Sequence, residues 1–380
     1  MNKLLNSKTP ELMTGVIPVQ KLKSLIKNGA IRSGVPLRKD QFQPASLDLR
    51  IGKKAYRIRS SFLPQKGSVR KKLKDLFMYE IDLSKNGILE KGNIYLIPLM
   101  EELNLPDDIR GRTNPKSTTG RLDIFTRVIT DYSHRFEDID YGYRGELYLE
   151  VVTRSFTIKV EPGQCLNQLR LFKGDERLSD IELKSIYDKY SLLYNDSGKP
   201  SKGKDVKISD GLFMSINLKG NHHGIIGYKA KKNSSVIDIG KTGFYDEADY
   251  WEPIHTPKDD FLILEPEEFY IFSSKERVRV PIEYAAEMVE FDAGSGELRT
   301  HYAGFFDRGF GYGANGEIKG TKAVLEVRPH DVPFRIEDSQ TFFKIKYERM
   351  IEPPETYYGM DIGSSYYNQE LALSKQFKRK

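Results

Sequence analysis

A chain of 380 residues is too long for one comfortable core, so two domains are expected. Its 60 basic and 54 acidic side chains leave a formal charge of +6, spread thinly, whereas a nucleic-acid binder concentrates its charge on one face. Hydrophobic residues make up 38%, in short scattered runs that never approach the ~20 consecutive apolar residues of a membrane span.

The start, Met1 to Thr9, is polar and lacks the apolar block of a secretory signal, which points to the cytoplasm. Cys165 is the single cysteine, so no intrachain disulfide can form. The basic clusters Arg70-Lys71-Lys72, Lys229-Ala230-Lys231-Lys232 and Lys378-Arg379-Lys380 read as solvated loops and a frayed end.

In chain order, Pro18 opens a short helix in which Val19, Leu22, Leu25 and Ile26 share a face, and Gly29 ends it. The period then becomes two. Ile94, Leu96 and Pro98 alternate, as do Leu147, Leu149 and Val151, and then Phe156, Ile158 and Val160, closed by Pro162-Gly163. Short alternating runs separated by Gly, Pro and Asp predict a mainly β chain built as barrels or jelly rolls.

The chain also repeats itself. Residues 87–96 resemble 261–271, Leu105-Pro106 matches Val280-Pro281, and Leu147 to Val151 matches Ala323 to Val327. Glu150 and Glu326, like Glu161 and Glu337, are 176 residues apart. Ordered matches at one offset indicate a duplicated β unit. The polar stretch 195–206 is the expected linker, giving units 1–200 and 207–380.

Several chemistries lack their residues. One cysteine cannot supply the Pro-Cys-x-x-Cys of zinc-dependent base deaminases, and no histidine is followed two residues later by Glu. Phosphate-loop and nucleophile-elbow motifs are missing too, and the Gly309–Gly316 run reads as a surface loop. What remains is Asn114-Pro115-Lys116-Ser117-Thr118-Thr119-Gly120-Arg121, whose two cations, hydroxyls and Gly suit a phosphate chain or a plain polar turn. Glu150 lies on the strand face of Tyr148 and Val152, where it is either functional or solvent-facing.

Gln43 to Gly52, Lys116 to Arg121, Asp140 to Gly145, Leu149-Glu150 and Pro162-Gly163-Gln164 with Gln168 follow the order found in the dCTP deaminases, relatives of the trimeric dUTPases. The chain resembles the long, double-domain bacterial form. The resemblance implies two tandem dUTPase-like distorted β-barrels with few short helices. It implies hydrolytic deamination of dCTP to dUTP and ammonia, with Glu150 as general base and no metal at the reacting carbon. Arg121 and Ser117 would hold that glutamate and the water, often from a neighbouring subunit. Lys116, Thr118, Thr119 and Gly120 would contact the phosphates, Asp140 the sugar 3′-hydroxyl, Tyr148 and Leu149 the pyrimidine, and Gln168 the nucleotide. Tyr190, Tyr194 and Lys199 are candidates for a tail that closes over the triphosphate. Magnesium is implied on the triphosphate and zinc is not; a homo-oligomer, with a trimer favoured, follows from sites shared between subunits. Arg121 beside the base is expected to lower its pKa.

By the 176-residue offset, Glu297 replaces Arg121 and Gly316 replaces Asp140. The second copy is therefore expected to be non-catalytic, and Glu326→Gln to be nearly silent. The alternatives are an enzyme that also cleaves dUTP to dUMP and pyrophosphate, a plain dUTPase, or a non-catalytic nucleotide- or nucleic-acid-binding protein.

Overall fold

The first helix forms where the apolar spacing places it. It spans Val19–Lys27 with Pro18 as its N-cap, and Val19 and Leu22 are buried. Gly29 follows at φ 79°, with its N–H bonded to the Ile26 carbonyl. Beyond it the chain is mainly β, in a computed structural model that describes residues 14–221, 223–290, 298–300 (backbone), 304–313, 315–355 and 369–379.

Each half carries two principal sheets. In the first half one sheet runs Asp138–Ile139, Ile109–Pro115, Cys165–Lys173, Ser46–Arg50, Phe42–Gln43. The other runs Ile124–Ile129, Arg144–Thr153, Ile94–Asn104, Lys54–Ile58, Phe77–Asp82. In the second half Thr321–Pro329 lies between Leu298–Thr300 and Tyr270–Val278, the place that Arg144–Thr153 holds in the first. Thr341–Arg349 pairs with Tyr284–Glu290 as Cys165–Lys173 pairs with Ile109–Pro115. The duplication read from the sequence is thus also a duplication of strand pairing.

The border between the halves falls earlier than the polar stretch 195–206. Leu183, Ile186, Tyr187, Leu192 and Leu193 pack into the second core, and Leu193–Tyr194 pairs with Tyr270–Val278. The helix Asp180–Tyr190, opened by a Ser179/Glu182 capping box, therefore belongs to the second unit. Burial of its apolar side chains decides this, and polar composition does not register it. The Arg70-Lys71-Lys72 cluster departs from expectation as well, because it lies on the helix Val69–Leu76.

Besides the pairing of Ile158–Lys159 with Ile237–Asp238 and a shared apolar core, two kinds of side-chain contact join the units. The first is charge. Arg328 of the second unit reaches Asp123 of the first, both essentially buried, and Ser155 bonds both. Truncating one partner of such a pair leaves a buried charge uncompensated. The second is aromatic. Phe156 of the first unit meets Tyr250 and Trp251 edge-on, at 6.0 and 5.4 Å between ring centroids. Phe377, near the C-terminus, packs on the same two rings. Lys378 is consequently not frayed: it donates its N–H to the Tyr245 carbonyl and its Nζ to Asp246. Phe377→Ala should lower unfolding free energy by about 3–5 kcal/mol, read as a lower urea midpoint, and Phe377→Leu should cost clearly less.

Candidate active site

The Lys116–Arg121 motif forms a tight turn between the strands Ile109–Pro115 and Ile124–Ile129. Ser117–Gly120 makes one helical turn, in which the Thr119 and Gly120 N–H groups bond the Lys116 carbonyl. The turn presents Lys116, Ser117 and Arg121 to a cavity of about 40 Å³ at the unit boundary. The opposite wall comes from the second unit and includes Phe305, Asp307, Val324 and Glu326, with Gln369 of the C-terminal segment above them.

Strand alternation explains how Glu326 arrives there. Along Thr321–Pro329, Ala323, Leu325 and Val327 are all 0% exposed and point into the second core. The other face, Val324, Glu326 and Arg328, docks on the first unit: Val324 joins the first core and Arg328 meets Asp123. Between them Glu326 Oε1 lies 3.9 Å from Arg121 Nε. Arg121 is further fixed by Gln369 Oε1 at 2.7 Å and the Ala372 carbonyl at 2.9 Å. Only 6% of Glu326 is exposed, and burial pushes its carboxyl up to about 8 despite the opposing Arg121 charge. The lowering that Arg121 was expected to exert on Glu150 does not prevail at Glu326, because desolvation outweighs a single cation at nearly 4 Å.

Glu150 is elsewhere. It is 0% exposed, with Oε1 held by Arg127, whose Nε lies 3.0 Å away. Its Oε2 is buried with no hydrogen-bond partner among the described residues. Arg127 also donates to Ser61 Oγ at 2.7 Å and lies over the Phe136 ring. The reason is the segment 59–76, which covers this face of the first unit. Val69 packs with Leu96, Ile129 and Tyr148, flanked by Phe62 and Leu73, and Arg70 reaches the Tyr148 hydroxyl. Within this chain Arg121 therefore meets Glu326 and not Glu150. The face that carries Glu326 is covered by the other unit; the face that carries Glu150 is covered by the segment 59–76 of its own unit.

The remaining expected residues divide. Lys116 lines the cavity and ion-pairs with Asp48. Thr118 accepts a bond from Ser374 Oγ on its carbonyl, and Thr119 and Gly120 are buried in the turn. Leu149 is core, and Tyr148 lies under the Val69–Leu76 helix. Gln168 is half-buried beside Ser46. Asp140 is exposed and lines a separate groove of about 690 Å³ between the units. Tyr190 donates to Glu283, and Lys199 is exposed in a turn. Neither they nor Tyr194 line the cavity, to which Gln369 contributes instead. Glu297 lies outside the described residues.

Asp307, Gln369 and Lys375 had not been expected. Asp307-Arg308-Gly309 echoes Asp140-Tyr141-Gly142, but the loop from Asp307 to Glu326 is nine residues longer than that from Asp140 to Glu150. A fixed offset therefore paired Asp140 with the wrong residue. Burial, and then the nearby Lys116 charge, hold the Lys375 ammonium below its usual value.

Comparison with known proteins agrees with this duplicated architecture. Residues 13–175 match the 2′-deoxycytidine 5′-triphosphate deaminase N-terminal domain, and residues 179–377 match its C-terminal domain. The chain belongs to the 2′-deoxycytidine 5′-triphosphate deaminase family. A crystal structure of 2′-deoxycytidine 5′-triphosphate deaminase from Agrobacterium tumefaciens is 45% identical with a TM-score of 0.85, covering 92% of this chain and 100% of that one. Shorter relatives, named as dUMP-forming dCTP deaminases, are 26% identical in Dictyoglomus turgidum and 29% in Nanoarchaeum equitans. They cover 43% and 44% of this chain, and 80% and 86% of their own lengths.

The raised pKa of Glu326 links stability to pH. The unfolded carboxyl ionises near its ordinary value of 4.5, while the folded one keeps its proton until about 8. Across that window the folded state binds more protons, so the contribution of Glu326 to stability falls as pH rises. Glu326→Gln should therefore melt like the parent at pH 4.5 and be more stable at pH 8, by on the order of 3 kcal/mol. Thermal unfolding at the two pH values checks this.

Proposed function

We infer that the chain deaminates dCTP hydrolytically at the cavity between its two units, with Glu326 as the proton-transfer group. The observation that carries this is a buried carboxyl facing the arginine of the Lys-Ser-Thr-Thr-Gly-Arg turn. A group with a pKa of about 8 is still protonated at neutral pH. It can give that proton to N3 of the cytosine ring, which makes C4 electrophilic. The carboxylate left behind accepts a proton from a water molecule as its oxygen bonds to C4. The carboxyl then protonates the amino group, the C4–N bond breaks, and the new hydroxyl returns a proton to Glu326 as the carbonyl forms. One dCTP and one water give dUTP and ammonia, and the glutamate ends as it began.

Arg121 steadies the carboxylate while it is charged, and Ser117 borders the same space. The cavity of about 40 Å³ has room for a water molecule, whose share of the liquid is about 30 Å³. Nucleotide entry thus requires Gln369 and the ring of Phe305 to move aside. Lys116 and Lys375, two neighbouring cations, form the natural anchor for phosphates, with the Thr118 and Thr119 hydroxyls near them. Asp307 takes the sugar-hydroxyl role that resemblance had given to Asp140. Magnesium would travel with the triphosphate, held by phosphate oxygens and water. The homo-oligomer expected from shared sites is not needed to complete this one, since both contributors are in one chain. Among the described residues no helix is long and apolar enough to cross a membrane.

Onward hydrolysis to dUMP and pyrophosphate is the second reading, favoured by the names of the shorter relatives. A pyrophosphate assay on dCTP separates the two. For the main reading, ammonia release from dCTP should fall by about 10²–10⁴ in Glu326→Gln. Glu150→Gln should keep the turnover of the folded enzyme within about threefold while costing about 1–3 kcal/mol of stability. Equal losses in both variants would overturn the assignment to Glu326. The kcat/KM of the parent should decline above pH 8 as the free enzyme loses the Glu326 proton.

A further inference from the structure

Arg170 stands in the strand Cys165–Lys173 of the first unit, is 0% exposed, and sends its guanidinium across the boundary. Nη1 donates to Glu348 Oε2 at 2.7 Å and to the Ala286 carbonyl at 3.1 Å. Nη2 donates to Asp307 Oδ1 at 3.0 Å, and the guanidinium lies 4.0 Å from the centroid of the Phe305 ring. Asp307 and Phe305 both line the cavity. One oxygen of Asp307 is thus committed to the first unit. The other has no protein hydrogen-bond partner among the described residues.

A buried carboxyl left to itself takes up a proton and rotates to whatever partner it can find. Burial does push Asp307 upward, and the Arg170 charge opposes that. If Arg170 served only to join the units, its bonds to Glu348 and Ala286 would suffice. The second arm instead fixes a residue of the cavity wall. A planar fork can hold two carboxylates at once, whereas a lysine ammonium reaches them as a point charge.

We propose that Arg170 is a positioning residue for substrate recognition: it clamps Asp307 so that the unpaired oxygen accepts a hydrogen bond from the 3′-hydroxyl of the nucleotide sugar. The proposal rests on the deaminase reading and adds a determinant of sugar specificity supplied by the unit opposite the one that carries Asp307.

The test compares binding of dCTP and of 2′,3′-dideoxycytidine triphosphate to the full chain by calorimetry, with ammonia release followed in parallel. The parent should hold dCTP about 10- to 100-fold more tightly than the dideoxy compound, as a charged hydrogen bond implies. Glu348→Gln should retain that preference. Arg170→Gln in the Glu348→Gln background, which avoids an unpaired buried glutamate, should reduce it to within about threefold while leaving dideoxy affinity unchanged. Asp307→Asn should do the same, and combining it with the Arg170 change should add nothing further. If the double variant does not fold, Arg170→Lys decides: at least a threefold loss of preference supports the clamp, and an intact preference overturns it. An equal loss of affinity for both nucleotides, or a parent that does not distinguish them, also overturns it. Failure of the deaminase reading is seen separately, as dCTP that binds without releasing ammonia.

Discussion

The chemistry we propose for this chain depends on one acidic side chain being removed from water at the place where two β units meet. Glu326 is enclosed because its strand uses one face for its own core and the other for the neighbouring unit. In water the same group would ionise near the ordinary carboxylate value and be a poor proton donor at neutral pH. Burial moves it to about 8, and the Arg121 guanidinium keeps the ionised form accessible. Proton donor and proton acceptor are then separated by little free energy, which is what repeated transfer in one turnover needs.

Duplication makes this arrangement possible within a single chain, and divergence has made it asymmetric. The first unit contributes the Lys116–Arg121 turn; the second contributes Asp307 and Glu326. The corresponding face of the first unit carries Glu150, but the segment 59–76 fills the space in front of it, and Arg127 neutralises the carboxylate. Two equivalent strands thus present the same residue type to two surroundings: Glu326 lines a cavity beside Arg121, and Glu150 ion-pairs with Arg127.

The boundary itself is charge-rich. Arg170 bridges Asp307 and Glu348, and Arg112 meets Glu287. Pairs of this kind cost desolvation, and their geometry tolerates little displacement. The aromatic contacts of Phe377 hold the C-terminal segment across the first unit, so that Gln369 and Ala372 reach Arg121.

The sequence by itself determined the mainly β character, the first helix, the duplication and the Lys116–Arg121 turn. These follow from short-range periodicity, from turn chemistry and from a repeat that can be counted. It also contained Glu326 as the counterpart of Glu150, and Asp307 in an Asp-x-Gly echo blurred by a loop nine residues longer. Only the tertiary structure decided that Glu326 lines a cavity beside Arg121 while Glu150 pairs with Arg127. Alternation tells which side of a strand a residue occupies, but what covers that side is set by contacts between segments distant in sequence. Segment 59–76 does so for Glu150, and the opposing unit does so for Glu326. The same long-range packing assigned the helix Asp180–Tyr190 to the second core and brought Gln369 to Arg121 in place of Tyr190 and Lys199.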